Sequence, residues 1–280
     1  MADDKTQQIN LDDIVKTIDR ASETFAYEIW VPSLKRNVMF KEINTSQQKR
    51  LIKSIIDSPI YNTEFIFTLY KLIEENCVEK LDTGNLTILD KLFIAIAMRS
   101  TSINDVLELE FKIDEKTVKR GISLMDIIKK CKDTINIQDT ITLTDDKQIF
   151  TLECSIPTIR TEYGLEQESR KGKSPNMNAN TPEELRETIG NAFIDEIIKY
   201  INVLSIKNGD DIVKITFNDI NFANRMSLTE RLPIKLIEKL VKYIASIKVE
   251  LDKVVLIKIE HEGKVMEQRL TIDGSFFMSS

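Results

Sequence analysis

Thr87-Ile-Leu-Asp-Lys-Leu-Phe-Ile-Ala-Ile-Ala-Met-Arg-Ser100 is the stretch on which the fold turns. Thr87 is a good helix N-cap, because its hydroxyl can accept from one of the free amides of a first turn. Behind it, Leu92 to Met98 is apolar on every side of a helical wheel. A surface helix keeps a polar face, so a helix without one belongs in the middle of a structure, covered all round. The neighbours supply the cover. Leu51, Ile52, Ile55 and Ile56 share one face of a helix that Thr45-Ser-Gln-Gln48 would open as a capping box. Phe65, Leu69, Leu72 and Ile73 do the same for a helix over 62–76, and Gly84 lies in the turn before Thr87. Residues 45–100 therefore read as a small α-helical bundle.

The flanks are mixed. Asn10 would cap a short helix over 11–21, with Asp12 and Asp13 in its first turn. Phe25, Tyr27, Ile29 and Val31 alternate as in a strand, Pro32-Ser33 breaks it, and 37–43 is its return partner. Beyond the bundle, strand patterns cover 103–113, 135–143 and 148–157, with a short helix near 123–132 capped by Ser123. Thr181-Pro-Glu-Glu184 opens a helix to about 201, and 212–217 is a short strand. Ser227 and Pro233 bracket a helix over 233–246. Strands 253–261 and 264–272 close around Glu262-Gly263. The expected class is α+β: an N-terminal β-hairpin with a small helical bundle, central β-strands, and a C-terminal helix plus β-hairpin region. Residues 163–180 lack periodicity and contain two glycines and a proline, so they read as a flexible linker. It would separate 1–162 from 181–280 and take the first tryptic cuts at Arg170, Lys171 or Lys173.

Composition narrows the function classes. With 42% apolar and 30% charged residues in 280, the chain can build a core without lipid or metal. A net charge of −6 with dispersed basic residues offers no basic face for nucleic acid. The polar, acidic opening predicts no signal peptide, and the longest apolar run, seven residues, is far short of the roughly 20 needed to span a bilayer. Cys77, Cys131 and Cys154 are scattered and read as reduced, buried thiols of a cytoplasmic protein.

No catalytic constellation emerges. His261 is the single histidine, at a hairpin tip with no partner in sequence reach, and reads as a solvated residue beside a turn. Gly172-Lys-Ser174 imitates the end of a phosphate loop, but Gln167 stands where the pattern needs its first glycine and Pro175 follows in place of a helix. Glu108 and Glu110 share a strand face for ordinary solvation. Catalytic, cofactor and metal residues are accordingly expected to be none. Arg99 is the most informative charge: directly after the apolar helix, it suits a cation bonding the last carbonyls, with an interface role as the alternative.

The order of landmarks resembles the baseplate hub subunit family of T-even-type contractile-tailed bacteriophages. The points of resemblance are Tyr27-Glu-Ile-Trp-Val-Pro-Ser33, Met39-Phe-Lys-Glu-Ile43, Gln47-Gln-Lys-Arg-Leu51, Cys77-Val78 and Leu89-Asp-Lys-Leu-Phe93. Arg99-Ser-Thr-Ser102 running into Val106-Leu-Glu-Leu109, Leu232-Pro233 and the closing Leu270-Thr-Ile-Asp-Gly-Ser-Phe-Phe277 complete it. The resemblance spans 27–277, and the common order carries it rather than any one motif. Some members of that family carry cysteine pairs near the central strands and in the last hairpin, which suggest zinc knuckles. Here Phe111–Gly121 and Lys258–Gln268 contain no cysteine, so a metal role is not carried over.

The resemblance implies a non-enzymatic part in building a phage tail baseplate, made in the host cytoplasm and working through protein–protein contacts. Its partners would be other baseplate or hub proteins and the tape-measure protein, with no nucleic acid, membrane or cofactor. One version is a permanent hub component of the virion tail. The other is an assembly chaperone that leaves before maturity. Phe276 and Phe277 are the candidate docking residues beside Arg99: neighbours on an extended chain point to opposite sides, so one ring can cover its own domain and the other face a partner, the alternative being that both fold back over their own sheet.

Overall fold

The computed structural model describes residues 11–57, 63–113, 116–172, 182–261, 263–273 and 275–278. The described chain begins with α1 (Leu11–Thr24), then β1 (Ala26–Val31) and β2 (Arg36–Lys41). The bundle follows as α2 (Thr45–Asp57), α3 (Thr63–Asn76) and α4 (Ile88–Ser102). β3 (Val106–Ile113), β4 (Lys116–Ser123), α5 (Leu124–Thr134), β5 (Thr140–Thr144) and β6 (Phe150–Ser155) lead to α6 (Ile159–Gly172) and α7 (Pro182–Ile198). β7 (Ile201–Asn208), β8 (Asp211–Thr216), α8 (Phe222–Glu230), α9 (Ile234–Val255), β9 (Leu256–His261) and β10 (Lys264–Arg269) complete it. The class is α+β, and among the described residues every strand lies in an antiparallel sheet: three separate hairpins and the four-stranded β5-β6-β7-β8.

α4 lies at the centre, as its composition requires. Phe93 to Met98 are all buried, and each large apolar side chain so covered contributes roughly 1.5–3 kcal/mol. The Thr87 hydroxyl accepts from the Asp90 amide, and the Asp90 carboxylate accepts from the Thr87 amide at 2.7 Å. Asp90 is fully buried, and its other oxygen accepts from the Ser33 amide at 2.8 Å. One carboxylate therefore caps the central helix and pins the β1–β2 turn to it. Ile29 and Val38 stand opposite each other on that hairpin, and with Val31 and Phe40 they are buried.

The α2 capping box sits one residue earlier than the sequence suggests. Asn44 Oδ1 accepts from the Gln47 amide at 2.9 Å, and Gln47 Oε1 accepts from the Asn44 amide at 3.0 Å. Asn44 is at least as good a cap as threonine, and the shift lets Gln47 turn inward while Thr45 stays exposed. Asn44→Ala should cost about 1 kcal/mol in urea denaturation and Thr45→Ala only a few tenths. Equal losses would return the cap to Thr45.

Residues 163–172 are helical, contrary to the expected linker; 173–180 lies outside the described residues. Periodicity there is carried by an aromatic rather than an aliphatic stripe. Tyr163 packs against Phe67 and Tyr70 of α3, with ring centroids 4.5 and 5.5 Å away, and Leu165 is buried. Arg170 and Lys171 therefore belong to the last turns of α6. Nor do 1–162 and 181–280 stand apart. β6 pairs with β7 across that division, and buried residues from both portions join one hydrophobic core.

β4, β7 and α8 were not anticipated, and α9 continues well past 246. The α9 stripe Tyr243, Ile244, Ile247, Leu251, Val254, Val255 stays buried to its end, so packing holds in a helix β-branched residues that locally favour strand. Gly121 explains how β4 fits. A Cβ there would come within 2.8 Å of Val106 Cγ1, so a side chain at 121 would displace that of Val106.

Candidate functional site

The three residues singled out in the sequence, Arg99, Phe276 and Phe277, meet at one place. The chain after β10 is held first by Leu270, which is buried and donates its amide to Val255 O at 2.8 Å. Asp273 then turns it: its carbonyl and Oδ1 both accept from the Phe276 amide at 3.2 Å. The two rings meet edge to face with centroids 5.2 Å apart, and Phe277 reaches Phe65 of α3 at 6.1 Å. Gln48, released from the α2 cap, donates Nε2 to Phe277 O at 3.1 Å.

Arg99 closes the clasp from the last turn of α4. Its Nε donates to Phe276 O, its Nη1 donates to Asn104 O at 2.6 Å, and the guanidinium carbon stands 5.4 Å from the Phe276 ring centroid. It is the largest fully buried side chain among the described residues, with 1% exposure. Burial lowers its pKa, opposed by the Asp105 carboxylate, but a guanidinium keeps its charge at any pH at which proteins fold. The cation thus ties the end of the central helix to the C-terminal segment through two carbonyls and an aromatic face.

The expectation that one ring faces outward is corrected here. Phe276 is 3% exposed and Phe277 0%, so both belong to the core. Adjacent residues do point to opposite sides of an extended chain, but 275–277 form a turn of 3₁₀-helix, in which Phe277 packs on Phe65 of α3 and Phe276 lies beside Arg99 of α4. Neither ring projects from the surface while this packing holds, although Phe276 borders the cleft between β3 and β10.

Asp105, which the sequence reading passed over, joins three elements. Its Oδ1 accepts from the Ser100 hydroxyl at 2.6 Å and the Met125 amide at 2.8 Å, and its Oδ2 accepts from the Ser123 hydroxyl at 2.8 Å. Ser123 in turn accepts from the Asp126 amide, which makes it the N-cap of α5. Burial alone would raise the Asp105 pKa; the two hydroxyls and the amide outweigh it and hold the carboxyl below its usual value. Its stabilising contribution is therefore complete above the ordinary aspartate pKa of about 3.9 and is lost as pH falls through the lower folded value. Asp105→Asn should lose less stability than the parent between about pH 4 and 2, read from urea midpoints. Parallel curves would show that Asp105 does not carry the acid dependence.

The remaining candidates stay apart. His261 flanks the β9–β10 turn opposite Lys264, and Gly172 ends α6. All three cysteines are free thiols. Cys131 and Cys154 are buried, which pushes each pKa up to about 12 and keeps the sulfur in its unreactive form. Cys77, expected to be buried, is only partly so, because it forms a bridge to Phe40 at the rim of the first hairpin. Among the described residues, no group of three or more His, Cys, Asp or Glu could hold a metal. No helix among them is long and apolar enough to cross a membrane.

Clefts border this framework, these two among them. One, of about 280 Å³, is lined by Trp30, Thr87, Lys132 and Ile137, with the Lys132 ammonium 4.9 Å from the Trp30 ring centroid. The other, of about 390 Å³, opens above the clasp between β3 and β10. Asp105 and Gln48 could have been found only from their neighbours: a serine at each end of Asp105's reach, and a capping register that frees one of two adjacent glutamines. No family model, curated protein or solved structure matches the chain.

Proposed function

We propose that the chain is a non-enzymatic structural or assembly protein of a phage tail baseplate hub, acting through contacts with other baseplate or hub proteins. The observation that carries this is the ordered set of sequence landmarks between Tyr27 and Phe277. Several of these landmarks touch one another in the fold. Val31-Pro-Ser33 is bound by Asp90 of Leu89-Asp-Lys-Leu-Phe93, Gln48 holds Phe277, and Arg99 holds Phe276.

Two forms of the reading differ in when the protein acts: as a resident of the mature tail, or as a chaperone of hub or tape-measure assembly that leaves. Mass spectrometry of purified virions against tail assembly intermediates separates them. Presence in both supports the resident form, and presence in intermediates alone supports the chaperone. Absence from both, with tails assembling normally when the chain is not made, overturns the proposal.

A further inference from the structure

The cleft between β3 and β10 is bounded by two unpaired strand edges. The phase of each hairpin follows from one hydrogen bond in its own register. Leu124 donates its amide to Asp105 O at 2.9 Å, so Asp105 and Leu124 are a hydrogen-bonded pair just outside the β3–β4 ladder. Antiparallel pairs alternate, so Leu107, Leu109 and Phe111 spend their main-chain groups on β4. Those of Glu108 and Glu110 point away from it. Leu270 donating to Val255 sets the other hairpin in the same manner, and there Glu267 and Arg269 point away from β9.

Leu107 to Glu110 and Gln268 to Thr271 line the two sides of that cleft. Among the described residues no backbone hydrogen bond joins the two segments, and each hairpin is a separate two-stranded sheet. Unpaired edges of this kind are templates for an added strand. The side chains say what the strand must carry. Leu107, Leu109, Phe276 and Met278 make an apolar inner side, and the Glu108 and Glu110 side chains stand exposed on the outer side. Arg269 on the far rim lies 3.3 Å from Asp252, and Lys119 of β4 pairs with Glu110 at 3.1 Å, so the outer face beside β3 keeps one net negative charge, carried by Glu108.

We propose that this cleft is a docking slot for an extended segment of a partner protein, one in which apolar residues alternate with lysine or arginine. The segment inserts between β3 and β10, hydrogen-bonds to both edges and turns apolar side chains toward Leu107 and Leu109. Its basic side chains lie beside Glu108 and Glu110. The inference stands on the strand edges and needs no particular identity for the partner.

Amide hydrogen exchange of the full chain, read residue by residue by NMR, tests it with a capped octapeptide alternating valine and lysine. In the free protein, amides of Glu108, Glu110, Glu267 and Arg269 should exchange at least about tenfold faster than those of Leu107, Leu109 and Gln268. The peptide should slow the first group about tenfold or more, and a version N-methylated at alternate residues should protect only one edge. Glu108→Lys should weaken the peptide about threefold or more while the free exchange pattern stays as it was, since that side chain is exposed and lies opposite Gly121. Equal protection of both groups without peptide would overturn the proposal, as the edges would already be paired. So would protection that rises with protein concentration alone, which would make a second copy the occupant, or a peptide that protects none of these amides.

Discussion

Arg99→Ala should lower the free energy of unfolding by roughly 2–5 kcal/mol, because two carbonyls that accept from the guanidinium lose their donor inside the protein. The space left by the largest fully buried side chain among the described residues adds to that loss. Arg99→Met fills much of the volume and should recover only part of the stability, since it donates to neither carbonyl. Arg99→Lys keeps the charge but lacks the planar fork that reaches Phe276 O and Asn104 O together, so it too should remain well below the parent. Urea midpoints for the three variants give the comparison. A loss under about 1 kcal/mol for alanine would mean that water reaches these carbonyls and that the clasp is not closed.

Phe277→Ala should cost about 3–5 kcal/mol, as expected for a phenylalanine with no exposure in contact with other rings. Replacing both phenylalanines by serine should then consume much of the ~5–15 kcal/mol that a domain has in total. The double variant is expected to be largely unfolded or aggregated at 37 °C. The two rings and Arg99 touch one another, so their effects should not add: a cycle on Arg99 and Phe276 should show coupling of about 0.5–3 kcal/mol. If the double serine variant stays folded with a loss under about 1 kcal/mol, the rings are not core residues and a partner-facing role returns.

Local signals were legible wherever a residue satisfies its own neighbourhood. Thr87 and Ser123 cap the helices they precede, the Phe65 to Ile73 stripe is buried, and the all-apolar centre of α4 is enclosed. The first and last hairpins also stand close to where alternation and turn residues put them. Failures have a common form. α6 looked like a linker because its packing face is aromatic and it contains Gly164, and only the rings of Phe67 and Tyr70 on α3 make that face worth burying. The helix α9 runs through Lys253-Val-Val255 because those valines are covered in the core, which overrides a local preference for strand.

The candidate site divides along the same line. From the sequence alone it followed that the chain is α+β around one buried helix, that Arg99 stands at the end of that helix, and that Phe276 and Phe277 follow the last hairpin side by side. Those are properties of composition and spacing, which short-range sterics and hydrogen bonding read directly. Whether the phenylalanines face a partner or the core was decided only in three dimensions. The Phe276 carbonyl lies 177 residues along the chain from the guanidinium that holds it, and the Phe277 carbonyl 229 residues from Gln48. Contacts over such separations depend on how the hairpins and helices pack, and no periodicity in either partner encodes them. The open edges of β3 and β10 belong to the same category, because a strand's free side has no signature of its own until the neighbouring hairpin is in place.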